Sequence, residues 1–146
     1  MTLIVVDLVP ALLTWEGRDA SDVRAASEAI DALEDLYSGF RLAAIADGDR
    51  PAAQLRRAMD ELALTEFFDS VATSAGFGPT VTPRVIRRLA AALGTAAGDV
   101  IVVTARPALA EALRAARLGA VLTGGPDDFP DVPDAVAELL EGPLSP

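Results

Sequence analysis

The sequence has no cysteine and no histidine. The first absence excludes disulfides and thiolate metal sites. The second removes the commonest general base and every Ser-His-Asp arrangement. Lysine is missing too, since all 12 basic residues are arginine. That excludes a Schiff-base lysine, a P-loop and a phosphate-binding ammonium. Aromatics make up 5% of the chain, so a core must be built from Val, Leu, Ile and Ala. Basic charge is scarce against 22 acidic residues, and the net charge of −10 opposes non-specific nucleic-acid binding, which needs a basic face. The N-terminal apolar run lacks a basic flank and is too short to span a bilayer, so no membrane partner and a cytoplasmic location are expected. An alanine-rich, arginine-only composition suggests a GC-rich bacterial genome.

What the chain does contain is regular. Its 146 residues suit one domain, 1–146, and 51% hydrophobic against 23% charged residues argues for a globular fold. Apolar runs alternate with amphipathic segments. Residues 3–6 (LIVV) read as a buried strand, followed by the loop WEGRDA. A helix is expected over residues 22–37, with Val23, Ala26, Ile30, Leu33 and Tyr37 on one face, Ser21 as N-cap and Gly39 as stop. RLAAIADGD is a second strand and turn. Pro51 opens a helix with Leu55, Ala58, Met59 and Leu62 inward, and DSVATS is a third strand. Thr82 and Pro83 start a helix that stops at Gly94, and DVIVVTA is a fourth strand. Pro107 opens the next helix, GAVLTGG is the fifth strand, and Asp131 and Pro133 begin a last helix carrying Val136, Leu139 and Leu140. Strands apolar on both faces, alternating with helices, predict an α/β fold: a parallel sheet covered on each side.

Ligands of such folds bind beyond the carboxyl ends of the strands. Those ends carry Asp7, Asp47 with Asp49, Ser74, Thr104 with Arg106, and Thr123. The stretches LIVVDLVPALLT, RLAAIADGDRPAAQLRRAMDELALTEFFDSVATSAGFG, VIVVTARPALAEALRAARLGAVLTGG and PDAVAELLEG, in this order, resemble the haloacid dehalogenase-like (HAD) superfamily over nearly the whole chain. The resemblance implies a Rossmann-like, hydrolase-like fold with a five-stranded parallel sheet in the order fifth, fourth, first, second, third. A single helix fits between Asp7 and Ala46, which implies a core without the helical cap of many members.

That family's chemistry uses a nucleophilic carboxylate, a second carboxylate as acid/base, a hydroxyl and a lysine on the phosphate, and acids that hold Mg²⁺. Like charge builds up when a phosphoryl group meets a carboxylate, so metal and cations must neutralise it. Asp7 matches the nucleophile. Val9 stands where the acid/base belongs, and Pro10 and Ala11 replace the Gly-Thr that follows. Ala46 takes the place of the hydroxyl, beside Asp47. The lysine would fall near residues 80–82. Thr104 and Ala105 replace the Gly-Asp of the fourth motif, whose later acid falls near Ala110, with Glu111 adjoining. Loss of one charge-stabilising donor costs roughly two to four decades of rate, so these losses together leave little phosphoryl transfer. Mg²⁺ binding is not expected. Members that cleave carbon–halogen bonds without metal also keep the first Asp and drop the second, but they retain a lysine and a cap.

Other candidates have structural readings. Asp7 caps its turn through backbone N–H groups or pairs with Arg106, which would replace the lost metal's charge. Asp47-Gly48-Asp49 reads as a turn and N-cap. Arg84, Arg87 and Arg88, like Arg56 and Arg57, read as a solvated face. Trp15 lies where a cap would begin, either exposed as a partner anchor or folded over the strand ends. Phe129, in the acidic loop PDDFPDVPD, is a second possible contact. The expectation is a catalytically inactive HAD-like domain acting through a protein partner or self-association. The alternatives are a metal-independent hydrolase with Asp7 as nucleophile, or a small-ligand sensor built on Asp7, Asp47, Asp49, Thr104 and Arg106.

Overall fold

The computed structural model describes residues 2–17, 23–49, 51–75 and 77–141. In chain order the elements are β1 (Leu3–Asp7), a short irregular turn α1 (Leu8–Ala11), β2 (Leu13–Trp15), β3 (Val23–Ala25), α2 (Ser27–Gly39), β4 (Arg41–Ala46), α3 (Ala52–Glu61), β5 (Ser70–Thr73), α4 (Pro83–Ala92), β6 (Val100–Thr104), α5 (Pro107–Ala115), β7 (Gly119–Leu122) and α6 (Val132–Glu141).

β1 and β6 are buried along their whole length, so neither face needs a polar residue and both read as continuous apolar runs. They lie at the centre of a five-stranded sheet ordered β5-β4-β1-β6-β7. All its pairings are parallel. This is the order implied by the family resemblance, counted from the other edge.

Side chains alternate across the sheet and build two cores. Ile4, Val6, Leu42 and Ala44 pack under α2, α3 and α6 through Leu33, Leu36, Leu55, Met59 and Val136. Leu3, Val5, Ala43 and Val102 pack under α4 and α5 through Val85, Ile86, Leu109 and Leu113. Helix starts follow local chemistry. The Thr82 hydroxyl accepts from the Val85 N–H at 3.4 Å and Pro83 takes the first helical position, where a missing N–H is harmless. Gly94 follows α4 with φ +71°, the left-handed region that glycine adopts without strain.

Three expectations are corrected. The helix expected over 22–37 begins instead at Ser27, and Val23 belongs to β3, which pairs antiparallel with β2. In β2, Leu13 and Trp15 are buried and Thr14 is exposed, a period of two that places a hairpin before α2. The Ser21 cap and Asp22 lie outside the described residues. Tyr37 is 52% exposed and makes an edge contact with the Phe67 ring. Leu139 and Leu140, expected inward with Val136, are 41% and 47% exposed, because α6 rests on the sheet by one narrow face.

Candidate functional site

The register of the sheet sets the site. Val6 lies opposite Val103, so Asp7 and Thr104 emerge side by side at the carboxyl ends of neighbouring strands. On its other side Asp7 is level with Ile45, which places Asp47 just past the same edge. Arg106, immediately before α5, reaches back over all three.

Its guanidinium holds both carboxylates. Nη2 donates to Asp7 Oδ1 at 2.9 Å and Nε donates to Asp7 Oδ2 at 2.9 Å. Nη1 donates to Asp47 Oδ1 at 3.0 Å and Oδ2 at 2.9 Å. The Thr104 hydroxyl donates to Asp7 Oδ2 at 2.8 Å and accepts the Arg106 backbone N–H at 3.1 Å. Asp47 Oδ1 also accepts the Val81 N–H at 2.9 Å, which ties the segment before α4 to the strand ends. Among the described residues no buried side-chain polar atom lacks a partner.

Asp7 is fully buried, and burial pushes its carboxyl above the ordinary carboxylate range, against the pull of Arg106 and Thr104. Burial weakens the Arg106 cation, but the Asp7 hydrogen bond and the charges of Asp7 and Asp47 outweigh it, so the guanidinium is held more firmly charged than usual.

Beside this cluster lies a cavity of about 120 Å³, lined by Val9, Trp15, Ala46, Asp47, Asp49, Leu55 and Thr73. Of the five residues expected to form a ligand pocket, Asp47 and Asp49 border this cavity. Asp7, Thr104 and Arg106 form the ion-paired cluster next to it. Asp49 is exposed. Leu55 and Thr73 were missed: Leu55 carries only the signal of a core residue, and Thr73 adjoins the strand-end Ser74 that the pattern did mark.

Of the two readings of Trp15, exposed partner anchor or folded over the strand ends, the structure agrees with the second, and Phe129, a possible partner contact, is corrected. Trp15 is 8% exposed, because the hairpin folds it down against the strand ends. Phe129 is wholly buried beneath its acidic loop, where aromatic area is worth more than at the surface.

The carboxylates that would have to meet a Mg²⁺ ion are engaged by Arg106. Both oxygens of Asp7 and of Asp47 already accept from Arg106, and no group of three or more acids among the described residues has metal-binding geometry. A guanidinium and a divalent cation compete for the same lone pairs.

Comparison with solved structures supports the fold. D,D-heptose 1,7-bisphosphate phosphatase from B. bronchiseptica superposes with a TM-score of 0.74 at 15% identity, over 97% of this chain and 99% of that one. The chain has a HAD-like fold. A haloacid dehalogenase-like family protein from Streptococcus pneumoniae gives the same TM-score, 0.74, at 14% identity over 94% of this chain and 99% of that one. A HAD-superfamily hydrolase from Geobacter sulfurreducens gives 0.64 at 14% identity, with 80% of this chain covering 63% of that one. The HAD-like chain thus spans less than two thirds of the Geobacter protein and nearly all of the other two. No protein-family model and no curated protein matches the sequence. Among the described residues no helix is long and apolar enough to cross a membrane.

Proposed function

We propose that this chain is a catalytically inactive HAD-like domain that works by binding, to a protein partner or to a second copy of itself. One observation carries the reading: the Arg106 guanidinium bridges Asp7 and Asp47 at the strand ends. A nucleophilic carboxylate must present a lone pair to its substrate. Asp7 has no exposed surface, and both its oxygens are hydrogen-bonded. The sequence supports the same conclusion, with Val9 and Ala46 where a proton donor and a hydroxyl belong, and no lysine to meet a phosphate. The domain is read as capless. Between β1 and β4 the described residues form a turn, the β2–β3 hairpin and α2, and residues 18–22 are too few for a cap.

The test is turnover. The purified chain, incubated with p-nitrophenyl phosphate, sugar phosphates and 2-haloacids, with and without Mg²⁺, should match its Asp7→Asn variant and a no-protein control. Asp7-dependent turnover would overturn the proposal, and turnover that persists without Mg²⁺ would establish the metal-independent hydrolase instead. The cavity under Trp15 favours a second reading, a sensor for a small ligand. A compound that raises the melting temperature of the wild type, but not of an Asp49→Asn variant, would support it.

A further inference from the structure

Arg84, Arg87 and Arg88 occupy one face of α4, at spacings of three and four residues. Like charges so placed repel, and a chain with 22 acids has ample means to neutralise them. It does not: none of the three pairs with a described carboxylate. They line a groove of about 360 Å³ with Pro83, Ala91 and Ala116. Arg87 Nη2 donates to the Ala116 carbonyl at 2.6 Å, fixing one guanidinium at the groove wall. Arg88 stacks over Phe77, 5.2 Å from the ring centre, and Phe77 is itself 50% exposed.

The opposite face of the sheet carries the complement. The outer side of α6 presents Glu138 and Glu141, three residues apart, both exposed and paired with no described cation, while the partly exposed Leu139 and Leu140 flank the buried Val136 stripe on opposite sides. α4 rests on one core and α6 on the other, so the two surfaces of one molecule face apart and cannot meet.

We propose that the arginine groove on α4 of one copy takes the acidic outer face of α6, Glu138 and Glu141, from a second copy, head to tail. The inference rests on the binding reading above and gives it a surface. Guanidinium–carboxylate pairs provide directional hydrogen bonds, and the glutamate stems cover the apolar floor formed by Pro83, Ala91 and Ala116. Two copies at −10 each repel in most orientations, which favours an approach that sets the basic groove against the acidic helix. The contact joins different patches, so it forms chains or rings rather than a twofold dimer.

Two variants test this by sedimentation velocity: a groove variant, Arg84→Ser/Arg87→Ser/Arg88→Ser, and a helix variant, Glu138→Arg/Glu141→Arg. Circular dichroism checks that both remain folded. The wild type should grow beyond a monomer as its concentration rises toward about 1 mM. Each variant alone should stay monomeric. Their equimolar mixture should form a 1:1 complex and nothing larger, because one intact groove meets one intact helix. A wild type that stays monomeric, self-association that survives in either variant, or a mixture that does not combine would overturn the proposal. A monomeric wild type whose groove instead binds polyglutamate or an oligonucleotide would overturn it in favour of another acidic partner. Both surfaces lie away from Asp7, so these outcomes are read independently of the turnover assay.

Discussion

Arg106 pairs with Asp7, whose side chain is wholly buried. Removing one partner of a buried pair strands the other's charge, at a cost of about 3–5 kcal/mol. Arg106→Leu should therefore lower the unfolding free energy by about that much in a urea titration, and adding Asp7→Asn should recover part of the loss. A midpoint unchanged in Arg106→Leu would mean that the pair contributes nothing. The titration of Asp7 gives a second check. Burial raises its folded-state pKa above the unfolded value, so between those values the folded chain holds the proton more strongly. The Asp7 contribution to stability is then present at low pH and is lost as pH rises through the folded pKa. Measured at steps from about pH 4 to 7, the stability of the wild type should fall relative to that of Asp7→Asn, which cannot titrate. A wild type that gains on the variant over this range would reverse the assigned direction. The Arg106 partnership was legible in the sequence because both residues fall at ends of apolar runs. The Asp47 half of the bridge was not, since Asp-Gly-Asp before a proline is satisfied by a turn alone.

At the scale of elements, the turn after β4 depends on close backbone approach. A β-carbon on Gly48 would lie 2.7 Å from the Ala75 nitrogen and 2.9 Å from its α-carbon. Backbone cannot move aside as a flexible side chain can. The Gly48 N–H also donates to Ser74 Oγ at 2.8 Å, and the Ser74 hydroxyl donates to the Gly78 carbonyl at 2.9 Å, so the two loops are stitched together. Gly48→Ala should cost about 1–3 kcal/mol and shift the Asp47 resonances in an NMR spectrum. An unperturbed spectrum would show that the turn is slack. Strands and long helices were readable because burial on two faces or on one stripe imposes a period on the sequence. The β2–β3 hairpin escaped because three-residue strands carry too few alternations to register, and the Val-x-x-Ala spacing that follows also fits a helix.

For the whole molecule, the sequence by itself determined the α/β class, while the strand order was implied only by the family resemblance. The sequence also excluded disulfide, histidine and lysine chemistry outright. Apolar runs ending in polar residues can be packed in few ways once crossovers must be right-handed and both sheet faces covered. Val9 two residues after Asp7, and the absence of lysine, were likewise visible without coordinates. Tertiary structure alone decided which charges meet. It carried Arg106 across 99 positions to Asp7 and 59 to Asp47, and it left Arg84, Arg87 and Arg88 without a carboxylate among the described residues. It also buried Phe129, which a local reading offered as a possible surface contact, and chose the buried of two readings for Trp15. The physical reason is one of range. Hydrophobic periodicity is written into each segment, whereas an ion pair or the burial of a single ring depends on ångström-scale positions that only the packed sheet and helices fix.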